Sequence, residues 1–260
     1  LGGQEVVVRL QRDGEFLPDL FAEVTGEGVF SQEYMATEAG VYQARAWFPG
    51  DETGGLDASA WTEPVSFDVA PSAGYAILVT GRVSTETGIS HHRTTINEVY
   101  ENLLRTGFSE EYIVRFDPAF SPGGPDEPLD KGRLEQRISE WAAERLLLAP
   151  APVYIVFINH GWPGEFHIFH DGVNPENDIM TPADLRGWLE GLAGNLPDDA
   201  AGDAAREAPI VLVIGACYSG SYMQELSQSA GDRPRWFVVT SADAAEESFM
   251  GPWTGQVDEF

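Results

Sequence analysis

Two short apolar segments decide the fold of this chain: Val153-Tyr-Ile-Val-Phe-Ile-Asn-His160-Gly161 and Pro209-Ile-Val-Leu-Val-Ile-Gly-Ala-Cys217-Tyr-Ser-Gly-Ser221. Continuous apolar runs rich in β-branched residues are typical of central strands in a parallel sheet, which is covered on both faces. Open α/β folds place reactive groups at the carboxyl ends of such strands. The first segment ends in a histidine and the second in a cysteine. The sequence therefore predicts an imidazole and a thiol at one edge of one sheet.

A thiol and an imidazole at neighbouring strand ends can form a catalytic dyad, because the base helps to generate the thiolate nucleophile. Taken singly, a cysteine after an apolar strand is usually a small buried hydrophobe, and a lone histidine is usually a structural residue. Glycine lies beside both strand ends, and glycine lets backbone N–H groups approach a substrate carbonyl. The joint placement favours a dyad, while the structural interpretation stays open at this point.

Strands and helices alternate after the small linker Ala70-Pro-Ser-Ala-Gly74, which predicts a mainly parallel sheet covered by helices over residues 73–260. Apolar spacing of three to four residues predicts the helices. Thr181-Pro-Ala-Asp has the pattern of a capped helix start. The predicted strands are Tyr75–Thr80, Tyr112–Phe116, Val153–Asn159, Ile210–Gly215 and Trp236–Thr240, and the predicted helices cover about 92–106, 130–147, 181–193 and 220–229.

Residues 1–72 have a different pattern, with short, partly alternating apolar segments that Gly, Asp and Pro separate. This pattern predicts a small all-β antiparallel sandwich. The segment Thr37-Glu-Ala-Gly-Val-Tyr-Gln-Ala-Arg-Ala resembles bacterial immunoglobulin-like modules. Such a module would be incomplete here, and its remaining strands are expected upstream of Leu1.

Composition excludes several classes of partner. The 260 residues carry a formal charge of −27, with Lys131 as the only lysine, and such a surface repels nucleic acid and anionic lipid. No apolar stretch approaches the roughly 20 residues that span a bilayer. The dispersed acidity is typical of a salty or extracellular setting, and we expect an extracellular, cell-surface or periplasmic location.

No metal or cofactor is predicted. A single cysteine allows neither an internal disulfide nor a thiolate cage for zinc. His167 and His170 lie near His160, but Phe166-His-Ile-Phe169 and the following Asp171-Gly172 predict a hairpin that sends the two side chains to opposite faces.

The order of parts over about residues 75–260 resembles the legumain family of the caspase, gingipain and separase superfamily. The motifs that carry the resemblance are Val156-Phe-Ile-Asn-His160-Gly161, Gly215-Ala-Cys217-Tyr-Ser-Gly-Ser221 and Val238-Val-Thr-Ser-Ala-Asp243-Ala-Ala-Glu-Glu-Ser-Phe249. The resemblance implies a cysteine endopeptidase with a caspase-like α/β domain that acts on a protein or peptide. Cys217 would attack the peptide carbonyl, His160 would protonate the leaving amine, and the N–H groups of Gly161 and Cys217 would hold the oxyanion.

The resemblance also implies a pocket for the side chain at the cleaved position. The family uses an arginine after the first strand, and the corresponding position is His91 or, with a two-residue shift, Arg93. Gly215 replaces a pocket acid of the family, Asp258 could match another, and Ser241, Glu247 and Ser248 would form the wall. An arginine in the pocket favours Asn or Asp at the cleaved position, whereas an acidic pocket favours Arg or Lys.

Two other functions stay open from the sequence. A transpeptidase or ligase would use the same dyad and thioester, with an amine in place of water. A catalytically inactive caspase-like adhesion or assembly protein would explain the altered pocket. The chain also stops soon after its fifth predicted strand, so we expect a truncated domain or a second chain that completes it, and self-cleavage near Asp258 would fit zymogen maturation.

Overall fold

The structure, a computed structural model, describes residues 3–36, 38–83, 85, 87–118, 127–170, 179–227 and 236–248. The chain divides into two compact units, with the boundary between Pro71 and Ser72.

The described strands of the N-terminal unit are β1 (Glu5–Arg12), β2 (Glu15–Phe16), β3 (Leu20–Glu23), β4 (Gly40–Trp47) and β5 (Val65–Val69). They form one antiparallel sheet in the order β2-β1-β4-β5, and β3 also pairs with β1. Asp13 and Gly14 form the turn between β1 and β2, and both have positive φ, as a tight hairpin turn requires. The immunoglobulin-like sandwich is not confirmed, because the named strands of this unit, among the residues that the structure describes, all belong to this one sheet.

Arginine and aromatic side chains cover part of one face of this sheet. Arg9 and Arg45 lie directly opposite each other on β1 and β4, where two like charges would be unfavourable. Both guanidinium groups lie 4.8 Å from the centroid of the Trp61 ring, which Trp47 stacks against at 5.5 Å. Asp19 pairs with Arg9 at 2.6 Å. Cation–π contacts and one carboxylate therefore offset the repulsion on this face.

Six described strands of the C-terminal unit form one parallel sheet: β6 (Tyr75–Thr80), β8 (Ile113–Asp117), β9 (Glu127–Pro128), β10 (Val153–Ile158), β15 (Ile210–Gly215) and β16 (Trp236–Thr240). Their order across the sheet is β16-β15-β10-β6-β8-β9, so the long strands occupy its centre. Short pairings lie outside it, formed by β7 (Arg82–Val83), β11 (Gly161–Trp162), β12 (Glu165–His167), β13 (Phe169–His170) and β14 (Ile179–Met180).

Helices cover both faces of this sheet, which explains why its central strands are apolar throughout. On one face, Ile77 and Phe157 pack in a large cluster with residues of α2 to α5, whereas Leu78 and Ile158 on the other face pack against α1. The helices are α1 (Ile89–Arg105), α2 (Lys131–Gln136), a π-helical turn (Arg137–Trp141), α3 (Ala142–Leu148), α4 (Pro182–Gly194), α5 (Ala200–Glu207) and α6 (Met223–Leu226), with 3₁₀ turns at Glu110–Tyr112 and Ser219–Tyr222.

The five predicted strands are confirmed to within one residue at their ends, and the capped start of α4 is confirmed by reciprocal bonds between Thr181 and Asp184. The helix α5 was not predicted. The hairpin after His160 turns at Pro163-Gly164, with Trp162 opposite Glu165. The predicted turn at Asp171-Gly172, the tail around Asp258 and any further edge strand lie outside the described residues.

Replacing Trp61 with alanine should destabilise the N-terminal unit by about 2–3 kcal/mol, because two guanidinium contacts and an aromatic stack are lost together. Urea denaturation of the full chain would measure this. The control is Val65→Ala, a side chain 67% exposed on the same sheet, which should change stability by less than about 0.5 kcal/mol. An unchanged unfolding midpoint in Trp61→Ala would contradict the structural role of this layer.

Candidate active site

The register of two central strands sets the positions of His160 and Cys217. Strands β10 and β15 are parallel neighbours, with Ile158 opposite Gly215. The ladder continues one step further, because the N–H of Asn159 donates to the carbonyl of Gly215 at 3.1 Å. His160 and Cys217 each follow their strand end by two residues. The two residues therefore leave the same edge of the sheet at the same level, as the sequence predicts.

Gly161 lies where two backbone segments approach closely. A Cβ at this position would lie 2.8 Å from the carbonyl oxygens of both Cys217 and Glu165, so only glycine fits without a backbone shift. Gly161 pairs with Phe166 next to a hydrogen bond from His167 N–H to the His160 carbonyl. Hydrogen-bonded and non-bonded pairs alternate in an antiparallel ladder, so the N–H of Gly161 points away from β12. This donor therefore makes no ladder hydrogen bond to β12.

The turn that carries Cys217 is supported by the loop 241–248. The Oγ of Ser241 accepts a hydrogen bond from the N–H of Ala216 at 3.1 Å. Tyr218, the residue after the cysteine, has left-handed backbone with φ 58°, and its N–H donates to the carbonyl of Glu246 at 2.7 Å. These bonds hold the cysteine in a sharp turn between β15 and the next 3₁₀ turn.

The thiol is half-buried and points to the same loop. The Sγ of Cys217 lies 3.5 Å from the carbonyl oxygen of Ser248, which accepts its hydrogen bond. The carboxylate of Glu247 accepts a hydrogen bond from the hydroxyl of Tyr218 at 3.3 Å. The structure thus brings Ser241, Glu247 and Ser248 to the cysteine turn. Ser241 supports this turn through its hydrogen bond with the N–H of Ala216.

A backbone carbonyl orients the imidazole of His160. Its Nε2 lies 3.0 Å from the carbonyl oxygen of Thr87. A carbonyl only accepts hydrogen bonds, so Nε2 carries the hydrogen and Nδ1 is the nitrogen that can gain or release a proton. Gly88 follows with φ 75°, and a Cβ there would lie within 3.5 Å of both His160 and His92. The glycine therefore lets this loop approach both rings.

A second histidine packs against His160. The His92 ring meets the His160 ring edge to face at 5.2 Å and 76°. His92 is 4% exposed, and no described residue bonds to its Nδ1. Burial, followed by the proximity of His160 and His91, lowers the pKa of His92 to about 4. His92 is therefore neutral at neutral pH and does not place a positive charge beside His160.

Two of the remaining predicted pocket residues, His91 and Arg93, lie near the start of α1. The guanidinium of Arg93 forms a bidentate pair with the carboxylate of Asp117 at the end of β8, in which Nε donates to Oδ2 at 2.8 Å. His91 is exposed on the first turn of α1. The guanidinium of Arg93 is thus paired with a carboxylate of the protein, and its pocket role stays a prediction. Asp258 lies outside the described residues.

Four residues near the candidate site were not predicted from the sequence: Thr87, His92, Trp162 and Tyr218. His92 could have been found, because it begins the buried stripe of α1 that continues through Ile96 and Leu103 at helical spacing. The contact of Thr87 uses a backbone carbonyl, which leaves no signal in residue type. Trp162 and Tyr218 were visible only as the residues that follow Gly161 and Cys217.

In the described part of the chain, no group of three or more His, Cys, Asp or Glu side chains is arranged to hold a metal ion. None of the helices described there is both long and apolar enough to cross a bilayer.

Comparison with known proteins finds a likeness in structure. No protein-family profile matches the chain, and no curated protein matches it in sequence. Among solved structures, the chain is similar to caspase-1 from Spodoptera frugiperda, with 14% identity and a TM-score of 0.41. The match covers 70% of this chain and 65% of the caspase chain, which is less than two thirds of the latter.

The pKa of His92 predicts how stability depends on pH. Above pH 6.5, His92 is neutral in both the folded and the unfolded chain. Between pH 6.5 and about 4 only the unfolded chain takes up a proton, so stability falls as pH falls, by about 3 kcal/mol over the full interval. In His92→Phe this contribution should be absent. Denaturant unfolding from pH 7.5 to 5 would measure the two slopes.

The neighbouring exposed histidine provides the control for this experiment. His91→Gln should keep most of the pH dependence of the natural chain, because burial is the largest cause of the lowered pKa of His92 and the proximity of His91 is a smaller one. Parallel stability curves for the natural chain and His92→Phe would show that His92 is not held neutral by burial.

Proposed function

We propose that this chain is a legumain-like cysteine endopeptidase of the caspase superfamily, with Cys217 as the nucleophile and His160 as the proton carrier. The observation that supports it is the register of β10 and β15, which sets His160 and Cys217 level at adjacent strand ends. The N–H of Gly161, directed away from β12, and the fixed tautomer of His160 supply the other parts that acyl transfer needs.

In the acylation step, the thiolate of Cys217 attacks the carbonyl carbon of the scissile peptide bond and a C–S bond forms. The carbonyl oxygen becomes an oxyanion, which the N–H groups of Gly161 and Cys217 hold. The C–N bond then breaks, and Nδ1 of protonated His160 delivers its proton to the leaving amine. The products are a thioester on Cys217 and a free amine.

In the deacylation step, water attacks the thioester carbonyl and gives one proton to Nδ1 of His160. The C–S bond breaks, the peptide leaves as a carboxylic acid, and the cysteine is restored. The carbonyl of Thr87 keeps the imidazole in one orientation through both steps, so the same nitrogen serves as acid and then as base.

We propose Asn as the preferred residue at the cleaved position, ahead of Asp. Glu247 lies beside the cysteine turn, where a carboxylate can accept a hydrogen bond from an amide but repels a second carboxylate. Because Arg93 is paired with Asp117, it gives less support to a preference for Asp. Arg and Lys are the competing choices, since a carboxylate also pairs with cations.

A panel of fluorogenic peptides with Asn, Asp, Arg or Lys at the cleaved position tests the activity. We expect turnover of the Asn peptide that falls at least about 1000-fold in Cys217→Ala, because the acyl-enzyme cannot form. Mass spectrometry should find a carboxylate product. Matching thermal unfolding of the variant and the natural chain is the control for folding.

The absence of Cys217-dependent turnover with all four peptides would refute the proposed activity. Turnover with Arg or Lys but not Asn would refute only the proposed preference.

A separate substitution tests the oxyanion donor. In Gly161→Ala the methyl group would meet two carbonyl oxygens, so the N–H must move and turnover should fall by about 100-fold or more. Alkylation of Cys217 by iodoacetamide should persist, because the thiol itself is unchanged. The matched control is Gly187→Ala in α4, where a Cβ meets nothing within 4 Å. Full activity in Gly161→Ala would remove Gly161 from the mechanism.

A further inference from the structure

An aromatic pair flanks the candidate active site. The indole of Trp162 and the ring of Tyr218 are parallel, with an interplanar angle of 8° and 6.4 Å between their centroids. Trp162 is 58% exposed. The rings belong to the residues that directly follow Gly161 and Cys217. A large apolar surface is therefore open to solvent beside the reacting atoms.

Hydrogen bonds fix the segments that carry both rings. The N–H of Tyr218 donates to the carbonyl of Glu246, and its hydroxyl donates to Glu247. The hydroxyl of Ser221 donates to the carbonyl of Tyr218 at 2.6 Å and accepts from the N–H of Gly164 at 2.9 Å. Ser221 thus ties the cysteine turn to the hairpin turn next to Trp162. Tyr218 keeps a left-handed backbone that non-glycine residues rarely adopt, and its ring is held in place rather than free to turn away.

The position of the pair decides what can reach it. Consecutive Cα atoms are about 3.8 Å apart, so each ring starts one residue from an oxyanion donor. When the scissile carbonyl of a substrate contacts Cys217, the residues just before and just after the cleaved residue are each one Cα–Cα step, about 3.8 Å, from that residue. Flat, rigid aromatic surfaces bind apolar and aromatic side chains by stacking and by removal of apolar area from water.

We propose that Trp162 and Tyr218 form a subsite for a bulky apolar side chain of the substrate, at the residue just before or just after the cleaved residue. This inference rests on the proposed function and deepens it. It makes Trp162 a specificity-determining residue, in addition to the residues that perform the chemistry.

The first experiment varies the two neighbouring positions of a cleaved peptide among Ala, Phe, Leu, Lys and Glu. The natural chain should prefer Phe or Leu over Ala at one of them by about 10-fold in kcat/KM. Trp162→Ala should reduce this preference to less than about threefold, whereas Trp162→Phe should keep most of it. Phe237→Ala is the matched control, because Phe237 is 56% exposed on β16 and should leave the preference unchanged.

Three outcomes would overturn the subsite. The first is an unchanged preference in Trp162→Ala, and the second is an equal loss of kcat/KM for the Ala and Phe peptides in that variant. The third is a preference of the natural chain for Lys over apolar residues, if Trp162→Ala removes that preference. The last outcome would indicate a cation–π site instead.

A binding experiment separates failure of the subsite from failure of the proposed activity. Calorimetry with Cys217→Ala protein measures affinity for the Phe and Ala peptides without turnover. Tighter binding of the Phe peptide, lost when Trp162→Ala is added, supports the subsite even if the natural chain cleaves nothing. Equal affinities for both peptides would overturn the subsite even if the natural chain is an active peptidase.

Discussion

The candidate site depends on the register between two buried parallel strands. Strand β10 is paired on both sides, to β6 and to β15, and its side chains pack into cores on both faces of the sheet. A slip of one residue would move His160 by about 3.3 Å and turn every side chain of the strand to the opposite face. The packing of Phe157 on one face and Ile158 on the other therefore fixes the level of the imidazole relative to the thiol. The geometry of the site is a consequence of core packing.

The central sheet was predictable because burial on both faces leaves a strong signal in sequence. A strand such as β15 must be apolar at successive positions, and few other elements of that length are. Helix α5 was missed for the corresponding reason. Only Gly202 and Ala205 of its eight residues are buried, so it has no large apolar stripe, and its start depends on the side chain of Asp199. Elements that contribute little to the core leave little to recognise.

The pocket was less predictable because it depends on the phase of a helix. His91 and Arg93 were the two candidates for the arginine position of the pocket. Residue type alone does not show which side of α1 faces the sheet edge. The structure starts α1 at Ile89, so the buried stripe takes His92 to His160 and leaves Arg93 to reach Asp117. The loop 241–248 was predicted as the pocket wall, and it follows β16, the strand beside β15. Its contacts show that Ser241 supports the backbone of the cysteine turn, a role that residue type alone does not reveal.

Burial of His92 also bears on how the proposed chemistry could work. Two charged imidazoles whose centroids lie 5.2 Å apart would oppose each other. Burial keeps His92 neutral at neutral pH, because it lowers the pKa of this imidazole to about 4. The His92 ring therefore packs edge to face against the His160 ring without placing a positive charge beside it. A buried histidine with no catalytic contact of its own would thus act by packing, and it would leave proton transfer in the proposed mechanism to His160.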